Sequence, residues 1–507
     1  MKKYLYSSLV LGSLLMLGAC SDDFTENSQT DGVSGEVIEQ MGVNPELALS
    51  MANNIGNSTQ LIQRKSGVGS STGHADFGQK SIEIMMDGMS NDVMYKRYNW
   101  FTYSYNYDDR LESYDTSIIY NYFTRVVNTA NRAISLVVKS QPTKFQDNPV
   151  YARALGIRGY AYLYLIQLYG YDGDGVPTQI VDADGNIVDT FSRASIVDVN
   201  KMIERDLLQS YDVLKSIPNA ATKEQLNKNI VAGILSRYYL YVENFAEAKR
   251  FAELALDGNL TPNSFEVVNN GTFAELNNLD WMWGANIDGG RTTTYASYFS
   301  HMDSFNVGYG KPSDTEKSVD RRLYDGMNAT DKRKVEWFAD GTKRYYSVHW
   351  KEVDANGKPV GKVLPKYLNT KFRDVTAFLG DYSYMRKTEM FFNYMEAAYR
   401  LGDEGTALRM LKEYMQSRDD KYAANLSGEE LFKEIQKQKR IEFWGEGFGL
   451  LDMKRWKVGL ERDYEGTNHT LDGGVLNIKF PSAKFTYQFP IHTLNASNGA
   501  LKQNPVG

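Results

Sequence analysis

Three kinds of side chain could carry chemistry in this 507-residue chain. The first is the acid set of "RIEFWGEGFGLLDMKRW", where Glu442, Glu446 and Asp452 invite a reading as paired catalytic carboxylates. Glycoside hydrolysis needs such a pair about 5 to 10 Å apart across a cleft, a separation that sequence spacing does not fix. The second is a set of five histidines, His74, His301, His349, His469 and His492. They lack the helical spacing of a zinc site, so each reads as a surface or hydrogen-bonded residue. The third is aromatic: 35 Tyr outnumber 23 Phe, and a ring with an apolar face and a polar tip suits surfaces that take polar, partly apolar ligands. Two acidic stretches, "YDGDG" and "DADGN", fail as EF-hand loops. From Asp172 the sixth and twelfth positions are Pro177 and Ala183, and from Asp182 they are Ile187 and Arg193, where Gly and Glu are required. No Gly-rich phosphate loop or Gly-x-Ser-x-Gly elbow occurs. The sequence therefore predicts no catalytic residues, no metal and no cofactor.

The lone cysteine is Cys20, in "LMLGACSDDF". Lys2 and Lys3 followed by an apolar run from Leu9 to Leu17 have the layout of a secretory signal peptide, and the run is too short to span a bilayer. Leu17, Gly18, Ala19 and Cys20 resemble the bacterial lipobox, in which the thiol is acylated before cleavage. Several acyl chains, at about 0.8 kcal/mol per buried methylene, would hold a protein stably on a membrane. The formal charge of −6 becomes −8 without the two leader lysines. An acidic chain with no basic run is a poor partner for nucleic acid.

The elements that must position such residues are mainly helical. Residues 1–19 read as the leader and 20–40, polar and without helical period, as a flexible tether. In "YARALGIRGYAYLYLIQLYG" the residues Ala154, Ile157, Ala161, Leu165 and Leu168 make a core-facing stripe that stops at Gly170. Ala232, Leu235 and Tyr239, then Phe245, Ala248, Ala252 and Ala255, form a helical pair around Asn244, similar to a tetratricopeptide hairpin. "RKTEMFFNYMEAAYRLGDEGTALRMLKEYM" supplies a second pair, and residues 116–140 and 195–216 further helices. Between 260 and 380 the chain breaks into Gly, Asn and Asp punctuated runs that read as loops and small hairpins. The predicted fold is mostly α: a tetratricopeptide-like scaffold of helical pairs, an α-α superhelix, bearing a loop-rich ligand face.

The lipobox followed by "SDDF", the helix "RALGIRGYAYLYLIQLYG" with "GVP" after it, "EMFFNYMEAAYRLGD", "KQKRIEFWGEGFGLLDMKRW" and the ending "FPIHTLNASNGALKQNPVG" together resemble the SusD/RagB lipoproteins of Bacteroidetes. The resemblance runs from Cys20 to Gly507, with Asn495 and Ala496 where relatives more often have an Asn-Pro pair. It implies a SusD-like N-terminal helical region over 41–260 and a RagB/SusD C-terminal region over 261–507, in one compact unit. It also implies an outer-membrane lipoprotein, lipid-anchored through Cys20 and facing the cell exterior, with Asp22 and Asp23 resembling the surface-export signal. Such a protein binds a glycan and acts as a lid on a SusC-like TonB-dependent transporter. In the family the segment around Glu442, Glu446 and Asp452 looks structural, with Trp444, Leu451 and Trp456 buried, which argues against catalysis.

Sugars present apolar C–H faces rimmed by hydroxyls, so a glycan site pairs flat aromatics with amides, carboxylates or Arg. The richest supply is "YKRYNWFTYSYNYDDR", which lies at about the distance from the mature start where the family has its ligand site. Trp100 is the first candidate, with Arg97, Tyr98 and Asn99 beside it. In "DWMWGANIDGGRTTTYASYFSHMDSFNVGYG", Trp281 and Trp283 read as core. Tyr295, Tyr298, Phe299 and Tyr309 sit in Gly and Ser rich surroundings and read as an exposed loop, with Tyr298 and Tyr309 as second candidates. Capture of peptides, as in the RagB-like branch, and a surface glycoside hydrolase are the alternatives.

Overall fold

The computed structural model describes residue 46 and residues 73–507, apart from 109–112, 220–221, 288–294, 313, 351–352, 359, 375, 377 and 470–476. The leader, Cys20 and the tether lie outside the described residues. Helix α1 (Gln79–Gly88) leads into strand β1 (Val93–Tyr95) and the short helix α2 (Thr102–Tyr105). Then come α3 (Tyr114–Ser140), α4 (Pro149–Tyr169), a hairpin of β2 (Gln179–Val181) and β3 (Ile187–Asp189), α5 (Ile196–Leu214), α6 (Lys228–Tyr241) and α7 (Phe245–Ala255). The loop-rich middle contains β4 (Trp281–Ala285), α8 (Tyr298–Met302), β5 (Lys317–Val319), β6 (Arg344–Tyr345), β7 (Lys362–Val363) and β8 (Tyr382–Arg386). The last third contains α9 (Lys387–Arg400), α10 (Glu404–Arg418), α11 (Gly428–Glu442), α12 (Gly449–Trp456), β9 (Leu460–Glu461) and β10 (Asn477–Ile478). No helix among the described residues is long and apolar enough to cross a membrane.

The helices start where short polar side chains satisfy the free N–H groups of the first turn. Asn148 caps α4 ahead of Pro149, Ser195 caps α5, Asn227 caps α6, Asn244 caps α7 and Asp403 caps α10. The helical pairs expected from sequence form: α6 packs on α7 and α9 on α10, and α7 and α9 join the two pairs. Helix α4 is buried on nearly every side, not along one stripe, because it lies between α3 and α5. Arg158 of α4 bonds Asp206 of α5 at 2.6 Å and Asn131 of α3 at 2.7 Å, so one guanidinium spans all three helices.

The strands form two-stranded antiparallel ribbons, β1 with β5, β2 with β3, β4 with β8, β6 with β7 and β9 with β10. Ribbon β1–β5 aligns Val93 with Val319 and Tyr95 with Lys317. One continuous apolar core runs from Ala75 to Leu501 and draws residues from both halves of the chain. Trp281 and Trp283 are buried within it, as the sequence predicts.

At the centre lies an ionic network. Arg386, at the end of β8, contacts Asp280 at 2.7 Å, Glu442 at 3.1 Å and Glu446 at 2.7 Å. Lys371 donates to Glu446 at 2.6 Å and to the carbonyls of Glu442 and Trp444 at 2.7 and 2.9 Å. Removing one partner from a buried charge set leaves the others unpaired and costs about 3–5 kcal/mol. We therefore expect Arg386→Met to lower the urea unfolding free energy by about that amount, whereas Lys201→Ala on the surface of α5 leaves it nearly unchanged. Burial alone would raise the pKa of Glu442, but the Arg418, Arg386 and Arg333 guanidiniums hold it at about 2 against the ordinary 4.5. Its ionised form thus stabilises the fold above pH 4.5, and that contribution is lost as pH falls from 4.5 to 2. Melting temperature measured across this window should fall more steeply for the native protein than for Glu442→Gln.

Candidate functional site

The segment that follows β1 carries the first-ranked residues, and its shape is set by Asn99. The Asn99 Oδ1 accepts from Phe101 N at 2.8 Å, its Nδ2 donates to the Arg97 carbonyl at 2.9 Å, and its backbone N–H donates to Thr102 Oγ1 at 2.7 Å. These bonds make a tight turn into α2, the local role to which Asn side chains are suited. Tyr114 Oη, from the first turn of α3, donates to the Trp100 carbonyl at 2.7 Å. Lys96 pairs with Glu316 at 3.1 Å, next to β5, so the turn is fastened at its other end too.

The turn presents Trp100, half-buried, to two residues from distant parts of the chain. Its ring centroid lies 4.9 Å from that of His74, nearly stacked, and 4.4 Å from that of Tyr309. Tyr309 Oη and His74 Nδ1 are 3.1 Å apart, within hydrogen-bond distance. Tyr295, 47% exposed, continues the row at 5.8 Å from both Tyr309 and Phe378. Beneath them His301 stacks on Tyr309 at 5.0 Å and contacts the His74 carbonyl through Nε2 at 2.9 Å. Burial, helped by the nearby Lys317 ammonium, pushes the pKa of His301 well below its usual value, so the ring is neutral. Because a carbonyl only accepts, Nε2 carries the proton. Tyr98, 72% exposed, projects from the same turn and meets Tyr103 edge-on at 6.4 Å.

The structure therefore brings Trp100 and Tyr309 together and leaves Tyr98 and Arg97 exposed at their margin. Two of the sequence-derived candidates sit differently from the expectation. Tyr298 does not lie on an exposed loop: it opens α8 and is 2% exposed, with its hydroxyl donating to the Gly445 carbonyl at 2.6 Å and its ring against Phe372. Phe299 is buried with it. Gly and Ser neighbours suggested a loop, but Ser297 caps a short helix whose aromatic face turns into the core. Asn99 is also buried, and its side chain is engaged by the turn rather than turned outward. His74 and Phe378 belong to the aromatic row and were missed. No local spacing relates them to Trp100, so nothing in the sequence could have placed them there.

The carboxylates of the C-terminal segment form no open pair. Glu442 is enclosed by Arg386, Arg418 and the Tyr414 hydroxyl, which donates to it, and Glu446 by Arg386 and Lys371. Asp452 bonds Lys439 at 3.0 Å and Arg455 at 2.8 Å. Trp444 is buried as expected, while Leu451 and Trp456 are half-buried. Among the described residues no group of three or more His, Cys, Asp or Glu could hold a metal ion. Asp182 accepts from the backbone of Asp184 and Asn186 at 3.0 and 2.8 Å, so "DADGN" closes the β2–β3 hairpin.

A protein-family model described as starch-binding associating with outer membrane matches residues 50–240, and a model described as SusD family matches residues 261–506. Several solved structures share the fold. A SusD-like carbohydrate binding protein from Bacteroides vulgatus superposes with a TM-score of 0.71 at 20% identity, over 91% of this chain and 97% of its own. A SusD superfamily protein from Bacteroides thetaiotaomicron gives 0.70 at 17% identity, over 92% of this chain and 100% of its own. One from Parabacteroides distasonis gives 0.68 at 13%, over 92% and 99%. No curated protein is significantly similar in sequence.

The turn around Asn99 is the part of the face most open to test. Asn99→Ala removes the two side-chain hydrogen bonds and should destabilise the protein by about 1–3 kcal/mol. Amide hydrogen exchange over residues 96–103 should speed up in this variant while that of α4 does not change.

Proposed function

Because the chain belongs to the SusD/RagB family, we propose that it captures an oligosaccharide on the face built by Trp100, Tyr309, His74 and Tyr295, with Tyr98 and Arg97 at its rim. The observation that carries this reading is the meeting of Trp100 and Tyr309, 4.4 Å apart, from two loops that share no local sequence. A half-buried indole flanked by rings that tilt against it and are held through a hydrogen bond offers a pre-ordered aromatic surface for a sugar's C–H face. The exposed Arg97 and Tyr98 supply donors for hydroxyls at its edge. The family descriptions and the SusD-like relatives support a carbohydrate as the ligand. Binding without turnover is favoured because the acids best suited by sequence to catalysis are closed into ion pairs. In this reading the protein is anchored in the outer membrane through acylated Cys20, faces the exterior, and passes its ligand to a SusC-like transporter.

Calorimetric titration of the chain from Ser21 onward against plant, fungal and host glycans tests this reading. We expect one glycan class to bind and Trp100→Ala to raise its Kd at least tenfold, about 1.4 kcal/mol. A full glycan panel without heat, followed by binding of peptides at the same face, would replace the carbohydrate reading with peptide capture.

A further inference from the structure

A concavity of about 360 Å³ lies where the end of α7 and the start of α6 meet β4 and the start of α9. It shares no lining residue with the aromatic face, and its volume falls in the range of small-ligand sites. Lys223 and Lys387 both line it. Lys223 donates to the Asn278 carbonyl at 2.5 Å, and among the described residues neither ammonium has a carboxylate within ion-pairing distance. Burial lowers the pKa of Lys223 and the nearby Lys387 charge lowers it further, while Asp280 partly offsets them. The lining carboxylate, Asp257, is paired with Lys228 at 3.1 Å. The helices α6 and α9, each 14 residues long, begin here, the first capped by Asn227 and the second by the Asp280 carboxylate, which accepts from Thr388 N at 3.1 Å.

The remaining wall matches a sugar more than a bare anion. Asn219 Nδ2 donates to Asn229 Oδ1 at 2.7 Å and Asn259 Oδ1 accepts from Thr261 N at 3.1 Å, which leaves Asn219 Oδ1 as an acceptor and Asn259 Nδ2 as a donor for hydroxyls. Trp281 lines the floor, is 1% exposed, and has an indole N–H without a hydrogen-bond partner among the described residues. Leu279, 67% exposed, stands at the rim as an apolar edge. We propose that this cleft is a second ligand site, which takes an anionic sugar unit with its carboxylate or sulfate ester between Lys223 and Lys387 and its hydroxyls on Asn219 and Asn259. The site stands whether or not the aromatic face binds a glycan.

The test is titration of the chain from Ser21 onward with trigalacturonate, its fully methyl-esterified neutral form, galactose 6-sulfate and inorganic sulfate. Lys387→Gln, Lys223→Gln and Trp100→Ala are measured in parallel, with circular dichroism confirming the fold of each. Lys387 is exposed, so its variant keeps the test valid if Lys223→Gln does not fold. We expect an anionic sugar to bind, its Kd to rise at least tenfold in either lysine variant and with esterification, and Trp100→Ala to have no effect. Binding of trigalacturonate alone identifies a carboxylate ligand, and of galactose 6-sulfate alone a sulfate ester. Equal binding of ester and acid, inorganic sulfate binding as tightly as the sugars, loss of binding only in Trp100→Ala, or silence of both anionic sugars overturns the proposal.

Discussion

The guanidinium of Arg386 sits in the interior against three carboxylates, and the placement of every nearby segment follows from satisfying it. Bringing a charge out of water costs several kcal/mol even after the protein relaxes, and this is offset only where partners surround it with good geometry. Here four cations, Arg333, Lys371, Arg386 and Arg418, interleave with four anions, Asp280, Asp331, Glu442 and Glu446. Tyr414 bridges the set, accepting from Arg333 at 2.8 Å and donating to Glu442. Phe443 and Phe273 lie 4.5 and 5.4 Å from the Arg386 guanidinium, excluding water and strengthening each charge contact. The groups come from β8, the turn before β4, the segment at 331–333, the loop at 371, α10, α11 and the turn after it. Few other arrangements of these segments would leave no charge unpaired.

The turn after α11 shows how closely the backbone must fit this centre. Gly445 and Gly447 both adopt left-handed conformations, with φ of 80° and 85°, on either side of Glu446. A Cβ at Gly445 would lie 2.4 Å from the ring of Phe372, and one at Gly447 2.4 Å from Glu83. The two glycines thus serve a dual purpose: they allow the backbone to reverse and they let it come down onto the core, so that Glu446 meets Arg386 and Lys371. From here the contacts run outward to the candidate site. Trp444 Nε1 donates to the Asp92 carbonyl at 2.8 Å, Arg440 pairs with the Asp92 carboxylate, and Asp92 immediately precedes β1, whose far end becomes the turn carrying Trp100. The aromatic face is an extension of the ribbon that the ionic centre locates.

What could be read from sequence divides along the range of the interactions involved. Helical pairs were legible because apolar spacing, capping Asn and Ser, and small alanines act within a few residues of each other, and the α6–α7 and α9–α10 hairpins form where those signals lie. Trp281 and Trp283 were legible as core from their alternation in a strand-like run. The burial of Tyr298 was not, because a Gly and Ser rich neighbourhood carries the signal of a loop and only packing against Phe372 and Gly445 decides otherwise. The meeting of Trp100 with Tyr309 and His74 was legible only in part: composition singled out two of the three rings, but their contact depends on the β1–β5 ribbon and on His301 beneath it. Nothing local to His74 distinguishes it from the other four histidines.

The candidate face combines two kinds of side chain that contribute differently to recognition. Trp100, His74 and Tyr309 are held by ring contacts and hydrogen bonds to one another and to the buried His301, so little conformational freedom remains to be lost when a ligand arrives. A fixed aromatic surface attracts the apolar face of many pyranose rings alike, because each presents C–H groups of similar polarity. Arg97 and Tyr98 are exposed, and their polar ends can follow the hydroxyl pattern of a particular sugar. Affinity on such a surface comes chiefly from the ordered centre and discrimination from the exposed rim. Sequence change at 97 and 98 would then alter which glycan this face holds without disturbing the core, whereas change at Trp100 or Tyr309 would weaken every glycan bound on this face.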